Sequence, residues 1–370
     1  MSNPWKSVAV FGQSLWYDNI SRSLLTGGRL AAMIDEYNVN GVTSNPAIFE
    51  KAISGGKEYD DDIRMLIEDG ATTNEIYDKL TTDDVRLAAD ILYDTFVATN
   101  TEDGYVSIEV DPTIANNAAE TIVQAKRLWE IVDRPNIMIK IPGTPSGLPA
   151  ITQTISEGIN VNVTLLFGIE NYADVARAYI AGINARLERG EDVSRIRSVA
   201  SFFLSRVDTN VDALLAKKGD AYKHLLGKAA NANAKLAYER YCKIFYGKEF
   251  DTLRAAGANV QRCLWASVST KNPAYSDTLY IEPLIGKETV TTVPDDTLAA
   301  FADHGNAADT LTHELDGAHT AIDELRSIGI DTENVARDLQ IDGVKKFEDA
   351  FRKLLSVLET KRAAVAETVA

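Results

Sequence analysis

Cysteine is nearly missing from this chain of 370 residues: Cys242 and Cys263 are the only two. Two cysteines make no disulfide framework, which suits a reducing compartment. Positive charge is also short. There are 38 Lys and Arg against 54 Asp and Glu, giving a net charge of -16. A field of that sign argues against general binding of nucleic acid or of an anionic membrane surface. Any phosphate-bearing ligand therefore needs a local cationic pocket. No apolar run approaches the ~18 residues of a membrane span, and the start, Met1-Ser2-Asn3-Pro4-Trp5-Lys6, lacks the basic and apolar pattern of an export signal. A soluble cytoplasmic protein is expected, with a monomer and a homodimer both open. No Pro-, Gly- or Ser-rich linker, low-complexity tract or fixed-period repeat divides the chain. One domain over residues 1–370 is therefore expected, with a helical part at 295–370 packed on the rest.

Motifs for metals and nucleotides are missing as well. His313 and His319 stand six residues apart, whereas a zinc helix places two histidines four apart on one face. Asp60-Asp61-Asp62 lacks the alternating ligands and the closing glutamate of a calcium loop. Gly143-Thr144-Pro145 lacks the Gly-Lys-Ser/Thr ending of a phosphate loop, and no G-x-G-x-x-G follows the first apolar run. Neither a metal nor a nucleotide is expected.

What the chain does have is alternation. Short apolar runs of strand length recur at Val8–Phe11, Gly41–Thr43, Tyr105–Val110, Ile137–Ile141, Ile159–Phe167, Ser198–Phe203, Arg262–Ser267 and Thr278–Glu282. Between them lie stretches such as Ile114–Asp133 and Glu170–Arg189, with apolar residues at three- and four-residue spacing. Eight strands with helical crossovers predict an α/β protein, a closed (β/α)8 TIM barrel, with a doubly wound sheet as the alternative. Residues 50–104 and 295–370 exceed the minimal repeat. They predict additional helices between strands two and three and at the C-terminus, with Thr332 as one helix start.

Buried parallel strands should read as continuous apolar runs, yet these carry polar residues toward their C-terminal ends. Lys140 is the clearest case, in Ile137-Met138-Ile139-Lys140-Ile141-Pro142-Gly143. A lysine there must pair, snorkel to solvent, or do chemistry. Desolvation disfavours an ammonium and makes a free amine available as a nucleophile toward carbonyls. The series continues with Asp18, Asn45 and Glu109, then Asn162 and Thr164 at two-residue spacing on one side of a strand, then Ser201, Arg206, Ser267 and Lys271. In a barrel these ends converge on one face, where active sites form. Any single Ser, Thr or Asn is as readily a helix cap or a polar filler. Lys140, Glu109 and Asp18 taken together point to chemistry.

Six stretches, in order, resemble the transaldolases. They are Gly41-Val42-Thr43-Ser44-Asn45-Pro46, Ser107-Ile108-Glu109-Val110-Asp111, Ile139-Lys140-Ile141-Pro142, Asn162-Val163-Thr164-Leu165-Leu166-Phe167, Ala200-Ser201-Phe202-Phe203-Leu204-Ser205-Arg206 and Ala266-Ser267-Val268-Ser269-Thr270-Lys271. The resemblance implies a (β/α)8 barrel that moves a dihydroxyacetone unit between sugar phosphates without a cofactor. The reaction it implies is sedoheptulose 7-phosphate plus glyceraldehyde 3-phosphate to erythrose 4-phosphate plus fructose 6-phosphate, in pentose phosphate metabolism. It makes Lys140 the Schiff-base lysine and Asp18 the carboxylate that takes the C4 hydroxyl proton. Glu109 becomes the proton shuttle, working with a water held by Thr164. Asn45 and Asn162 become contacts to substrate hydroxyls and the Schiff base, and Ser201 the contact to the C1 hydroxyl. Arg206 becomes the phosphate anchor, with Ser267 and Lys271 as helpers. Shorter members place Arg soon after an Ala-Ser-Phe run, where this chain has Ser269-Thr270-Lys271. Members that cleave fructose 6-phosphate to free dihydroxyacetone tend to carry Tyr and Gln where this chain has Phe203 and Glu109, so the pattern favours transfer over release. A releasing aldolase and a non-catalytic sugar-phosphate barrel are the alternatives.

Overall fold

In the computed structural model, which describes residues 3–369, eight parallel strands close into a barrel in sequence order, the last pairing with the first. They are β1 (Gln13–Tyr17), β2 (Val39–Val42), β3 (Tyr105–Glu109), β4 (Ile137–Pro142), β5 (Val161–Leu166), β6 (Ser198–Phe203), β7 (Gln261–Ala266) and β8 (Thr289–Val293). Apart from β2, every strand is buried along its whole length, as expected when helices cover the outside and side chains fill the inside.

The helices run α1 (Pro4–Val8), α2 (Arg22–Thr26), α3 (Arg29–Tyr37), α4 (Pro46–Gly55), α5 (Asp60–Glu68), α6 (Thr73–Ile91), α7 (Tyr93–Ala98) and α8 (Ala118–Val132) through the first half. The second half has α9 (Leu148–Ser156), α10 (Ile169–Glu188), α11 (Ser205–Ala216), α12 (Ala229–Phe245), α13 (Lys248–Ala255), α14 (Asp295–His304), α15 (Leu315–Ser327) and α16 (Thr332–Val369). Helices α5 to α7 account for the excess between β2 and β3. The long α16 packs on α4, α5 and α6 and reaches β5 and α11. No helix among the described residues is long and apolar enough to cross a membrane.

Two expected strands are something else. Val8–Phe11 is the end of α1 followed by a 3-10 turn, and β1 lies just after it. Pro4 occupies the first helical turn, and the Asn3 side chain accepts the Trp5 N–H at 3.1 Å, so a helix starts before the apolar run begins. Trp5 and Val8 share the buried face, while Val10 is 81% exposed. Gly12, at φ +78°, ends the turn and releases the chain into β1. The second case, Thr278–Glu282, folds into local turns with Ile281 N–H and Glu282 N–H both bonded to Thr278 O, leading into a 3-10 segment over Glu282–Leu284. The eighth strand is instead Thr289-Val290-Thr291-Thr292-Val293, whose threonines look polar in sequence yet are all buried. Their β-branched side chains suit a strand.

Close approach inside the barrel is secured at Gly41. A Cβ there would lie 2.6 Å from the Trp16 indole, so only glycine lets that ring project into the interior.

Candidate active site

Lys140 and Glu109 are in register on neighbouring strands β4 and β3, and Asn162 on β5 is in register with Lys140 on the other side. Lys140 Nζ donates to Ser44 O at 3.0 Å and stands 3.6 Å from Glu109 Oε2. That separation is ion-pair reach but too long for a hydrogen bond. Both Glu109 oxygens are buried and accept no hydrogen bond among the described residues. Burial therefore outweighs the opposing pull of Lys140 and pushes the Glu109 carboxyl up to about 7.

Asp18 follows β1 directly, its N–H donating to Val293 O at 2.9 Å. Its Oδ1 accepts from Thr43 Oγ1 at 2.7 Å, and Thr43 also shares a 2.6 Å hydrogen bond with Thr292. Burial raises the Asp18 carboxyl above its usual range, against the charge of Lys140 and the bond from Thr43. The side chain does not cap the next helix: Ser21 is the N-cap of α2 and accepts the Leu24 N–H at 3.3 Å. Asn45 does cap, its Oδ1 accepting the Ile48 N–H of α4 at 3.0 Å, and it also lines the cavity described below.

Asn162 is held from both sides: its Nδ2 donates to Ser107 Oγ at 3.0 Å and its Oδ1 accepts from Ser201 Oγ at 2.7 Å. Thr164, two residues on along the same side of β5, has a buried hydroxyl with no partner among the described residues. Immediately after it the pairing of β5 with β6 shifts register, and Leu165 takes a left-handed φ of +61°. Backbone strain of this kind in a bulky residue persists only where its surroundings fix it. Here Gln340 of α16 donates to Leu165 O and to Gly143 O, each at 3.0 Å. Ser267, after β7, is likewise at φ +55° and its hydroxyl lies 2.9 Å from that of Ser205.

A cavity of about 370 Å³ opens over the strand ends. Asp18, Asn45, Lys140, Ser201, Phe203, Arg206, Ser267 and Lys271 line it, while Glu109, Asn162 and Thr164 are not on its wall. The residues singled out in sequence thus come to one end of the barrel. Arg206, near the start of α11, has a buried Nη1 without a partner among the described residues, and burial lowers its pKa against the charge of Asp342. Phe203 packs 5.3 Å from Phe167, ring to ring, with the Arg206 guanidinium 5.8 Å from its own ring.

Sequence reasoning missed several wall residues. Thr43 falls inside a motif whose sequence signal points only to Asn45. Thr292 lay in the unrecognised strand β8. Phe347, from α16, also lines the cavity, with its ring centroid 5.9 Å from Lys140 Nζ. Nothing local in the sequence marks it, because which end of the barrel a distant helix covers is a tertiary fact.

The family model described as transaldolase/fructose-6-phosphate aldolase matches residues 15–358. The chain is 47% identical to "Transaldolase 2" of Nostoc punctiforme over 372 aligned positions, covering 97% of this chain and 98% of that protein. It is 46% identical to "Transaldolase" of Trichodesmium erythraeum, covering 98% of each, and 46% identical to "Transaldolase" of Parafrankia sp., covering 99% of this chain and all of that one. A match over nearly the whole barrel, with relatives almost half identical from end to end, means that the chain belongs to the transaldolase/fructose-6-phosphate aldolase family.

Proposed function

We propose that this chain is a transaldolase that carries a dihydroxyacetone unit on Lys140 as a Schiff base between ketose and aldose phosphates. The observation that carries the reading is the buried Lys140–Glu109 pair, in which the carboxyl accepts no hydrogen bond among the described residues and is pushed up to about 7 by burial. A purely structural pair would be expected to satisfy its acceptors. A carboxyl with a pKa close to ambient pH serves proton transfer in both directions.

In this scheme the Lys140 amine attacks C2 of sedoheptulose 7-phosphate or fructose 6-phosphate, forming a carbinolamine. Glu109, through a water held at the free Thr164 hydroxyl, supplies the proton with which the C2 hydroxyl leaves as water. The resulting iminium draws electrons from the C3–C4 bond. Asp18, made more basic by burial, takes the C4 hydroxyl proton; the bond breaks and an aldose phosphate departs. The enamine then attacks the aldehyde of glyceraldehyde 3-phosphate or erythrose 4-phosphate, Asp18 returns its proton, and hydrolysis frees Lys140. The chain's own residues suffice for every step. Asn45, Asn162 and Ser201 are assigned to the hydroxyls and the Schiff base; the Ser201–Asn162–Ser107 chain fixes the orientation of that set.

Arg206 suits the phosphate: its Nη1 is desolvated and has no partner among the described residues, so an anion regains what burial costs the guanidinium. Ser267 and Lys271, on the same wall, are assigned as its helpers. A specific observation bears on the releasing aldolase as the second reading: Phe203 faces the cavity with no hydroxyl to protonate the enamine, which supports transfer. The test is borohydride reduction in the presence of fructose 6-phosphate, followed by peptide mass mapping. The adduct is expected on the peptide containing Lys140. Labelling of another lysine, or none in an active preparation, overturns the assignment.

A further inference from the structure

Gln340, Gly343 and Phe347 stand at i, i+3 and i+7 on α16 and so share one face of the helix. Each touches a different part of the site. Gln340 holds the carbonyls of Gly143, after β4, and Leu165, beside Thr164. At Gly343 a Cβ would lie 3.0 Å from the Leu165 side chain and 3.8 Å from Arg206 Nη1, so a larger residue would push into the strained turn and toward the guanidinium. A glycine inside a helix is destabilising relative to alanine, and close packing is what it permits here. Phe347, 4% exposed, lies over Lys140 and lines the cavity. The helix is itself fastened at its start, where Glu333 Oε1 accepts the Ile169 N–H at 2.8 Å.

We propose that Phe347 is a positioning and covering residue, an apolar shield supplied by α16 that keeps bulk water from delivering a proton to the enamine carbon while the enzyme holds its three-carbon intermediate. The inference rests on the Schiff-base reading given above. Two routes compete for that intermediate. In transfer, the enamine carbon forms a bond to the acceptor aldehyde. In release, the enamine carbon takes a proton, water adds at C2 of the iminium, the C2–N bond breaks, and the nitrogen takes a proton as dihydroxyacetone departs. Both routes end with water adding at C2 to free Lys140, so they part at the enamine carbon. Release needs a proton delivered there from water and transfer needs the acceptor aldehyde, so an apolar wall beside the amine slows release without touching transfer. The aromatic face also suits a cationic nitrogen, but the shield requires bulk rather than a ring.

The test measures the ratio of free dihydroxyacetone released to fructose 6-phosphate formed, with sedoheptulose 7-phosphate as donor and glyceraldehyde 3-phosphate as acceptor. Wild type, Phe347→Ala and Phe347→Leu are compared, with far-UV circular dichroism and borohydride labelling of Lys140 as controls. Phe347→Ala is expected to raise the ratio roughly tenfold, a change of about 1.4 kcal/mol between competing barriers. Phe347→Leu, which keeps an apolar side chain over the lysine, is expected to restore the wild-type ratio. A general structural fault would lower both routes together and leave the ratio unmoved. An unchanged ratio in Phe347→Ala, or an equal rise in Phe347→Leu, overturns the proposal. Wild-type labelling at Lys140 with an unchanged ratio would remove the shield and leave the Schiff-base reading standing.

Discussion

At the floor of the barrel, Arg262 reaches from β7 to Ser14 on β1 at 2.8 Å and to Asp103, just before β3, at 3.0 Å. Asp103 also accepts from Ser14 Oγ at 2.5 Å and from Trp16 Nε1 at 3.0 Å, and Arg262 donates to Glu102 O at 2.9 Å. At the mouth, Lys140 and Glu109 are as deeply buried, but the carboxyl accepts nothing among the described residues. The two ends also carry cavities of similar volume, about 380 Å³ by Arg262 and 370 Å³ by Lys140. Burial and volume therefore do not distinguish them; hydrogen-bond completeness does. A closed network fixes strands, whereas an open one keeps proton acceptors available to a ligand.

The sharpest way to break this contrast is to delete one charge from each end. Lys140→Met is expected to reduce turnover by a factor on the order of 10⁵, while urea denaturation shows no loss of stability, because Glu109 can neutralise itself by taking a proton. A variant that loses stability along with activity would make the mouth pair structural. Arg262→Met leaves Asp103 buried without its counter-charge and is expected to cost about 3–5 kcal/mol, read as a lower thermal midpoint. We propose that residues 1–370 fold as one domain, so calorimetry of this variant should still give a single transition; kcat of the folded fraction should stay at the wild-type value. Lost turnover at full folding would give the floor a catalytic part.

Arg206→Ala tests whether the mouth's unpaired guanidinium is reserved for phosphate. Losing that contact is expected to cost ~2–5 kcal/mol in kcat/KM for fructose 6-phosphate, with much less effect on fructose. Equal proportional losses in parallel kinetics would make Arg206 a support of the barrel. The smallest effect is on stability against pH. Glu109 titrates at about 7 in the folded chain against an ordinary 4.5, so the folded state keeps a proton that the unfolded state gives up. Its contribution is present below pH 4.5 and lost as pH rises toward 7, and Asp18, also raised, adds loss of the same sign from about 3.8 upward. Urea midpoints measured across that range are expected to show a decline of about 1–3 kcal/mol that is shallower in Glu109→Gln. An unchanged slope in the variant would mean that Glu109 is not the group responsible.

The same contrast explains what could be read from sequence. Lys140 and Glu109 were visible because ionisable residues interrupt apolar strand runs, and the two-residue period alone placed Asn162 and Thr164 on one side. The central strands from β3 to β7 were visible for the same reason, being apolar runs bounded by breakers. At the seam of the barrel that signal failed. A Pro-capped helix took the apolar run before β1, and β8 hid its burial behind threonine hydroxyls. Asn45 offered two readings, cap or site, and only coordinates settle them, since its side chain caps α4 and lines the cavity as well. Gln340 and Phe347 were out of reach because their meaning depends on where α16 comes to rest.

That resting place has a consequence for the order in which the protein is made. The ribosome has delivered all eight strands by Val293, and with them the lysine and both carboxyls, but Phe347 emerges 54 residues later. At synthesis rates of ~5–20 residues per second, the nascent barrel spends several seconds with its amine formed and uncovered. During that interval Lys140 lacks the Phe347 ring that lies beside it in the finished chain, and arrival of α16 supplies it.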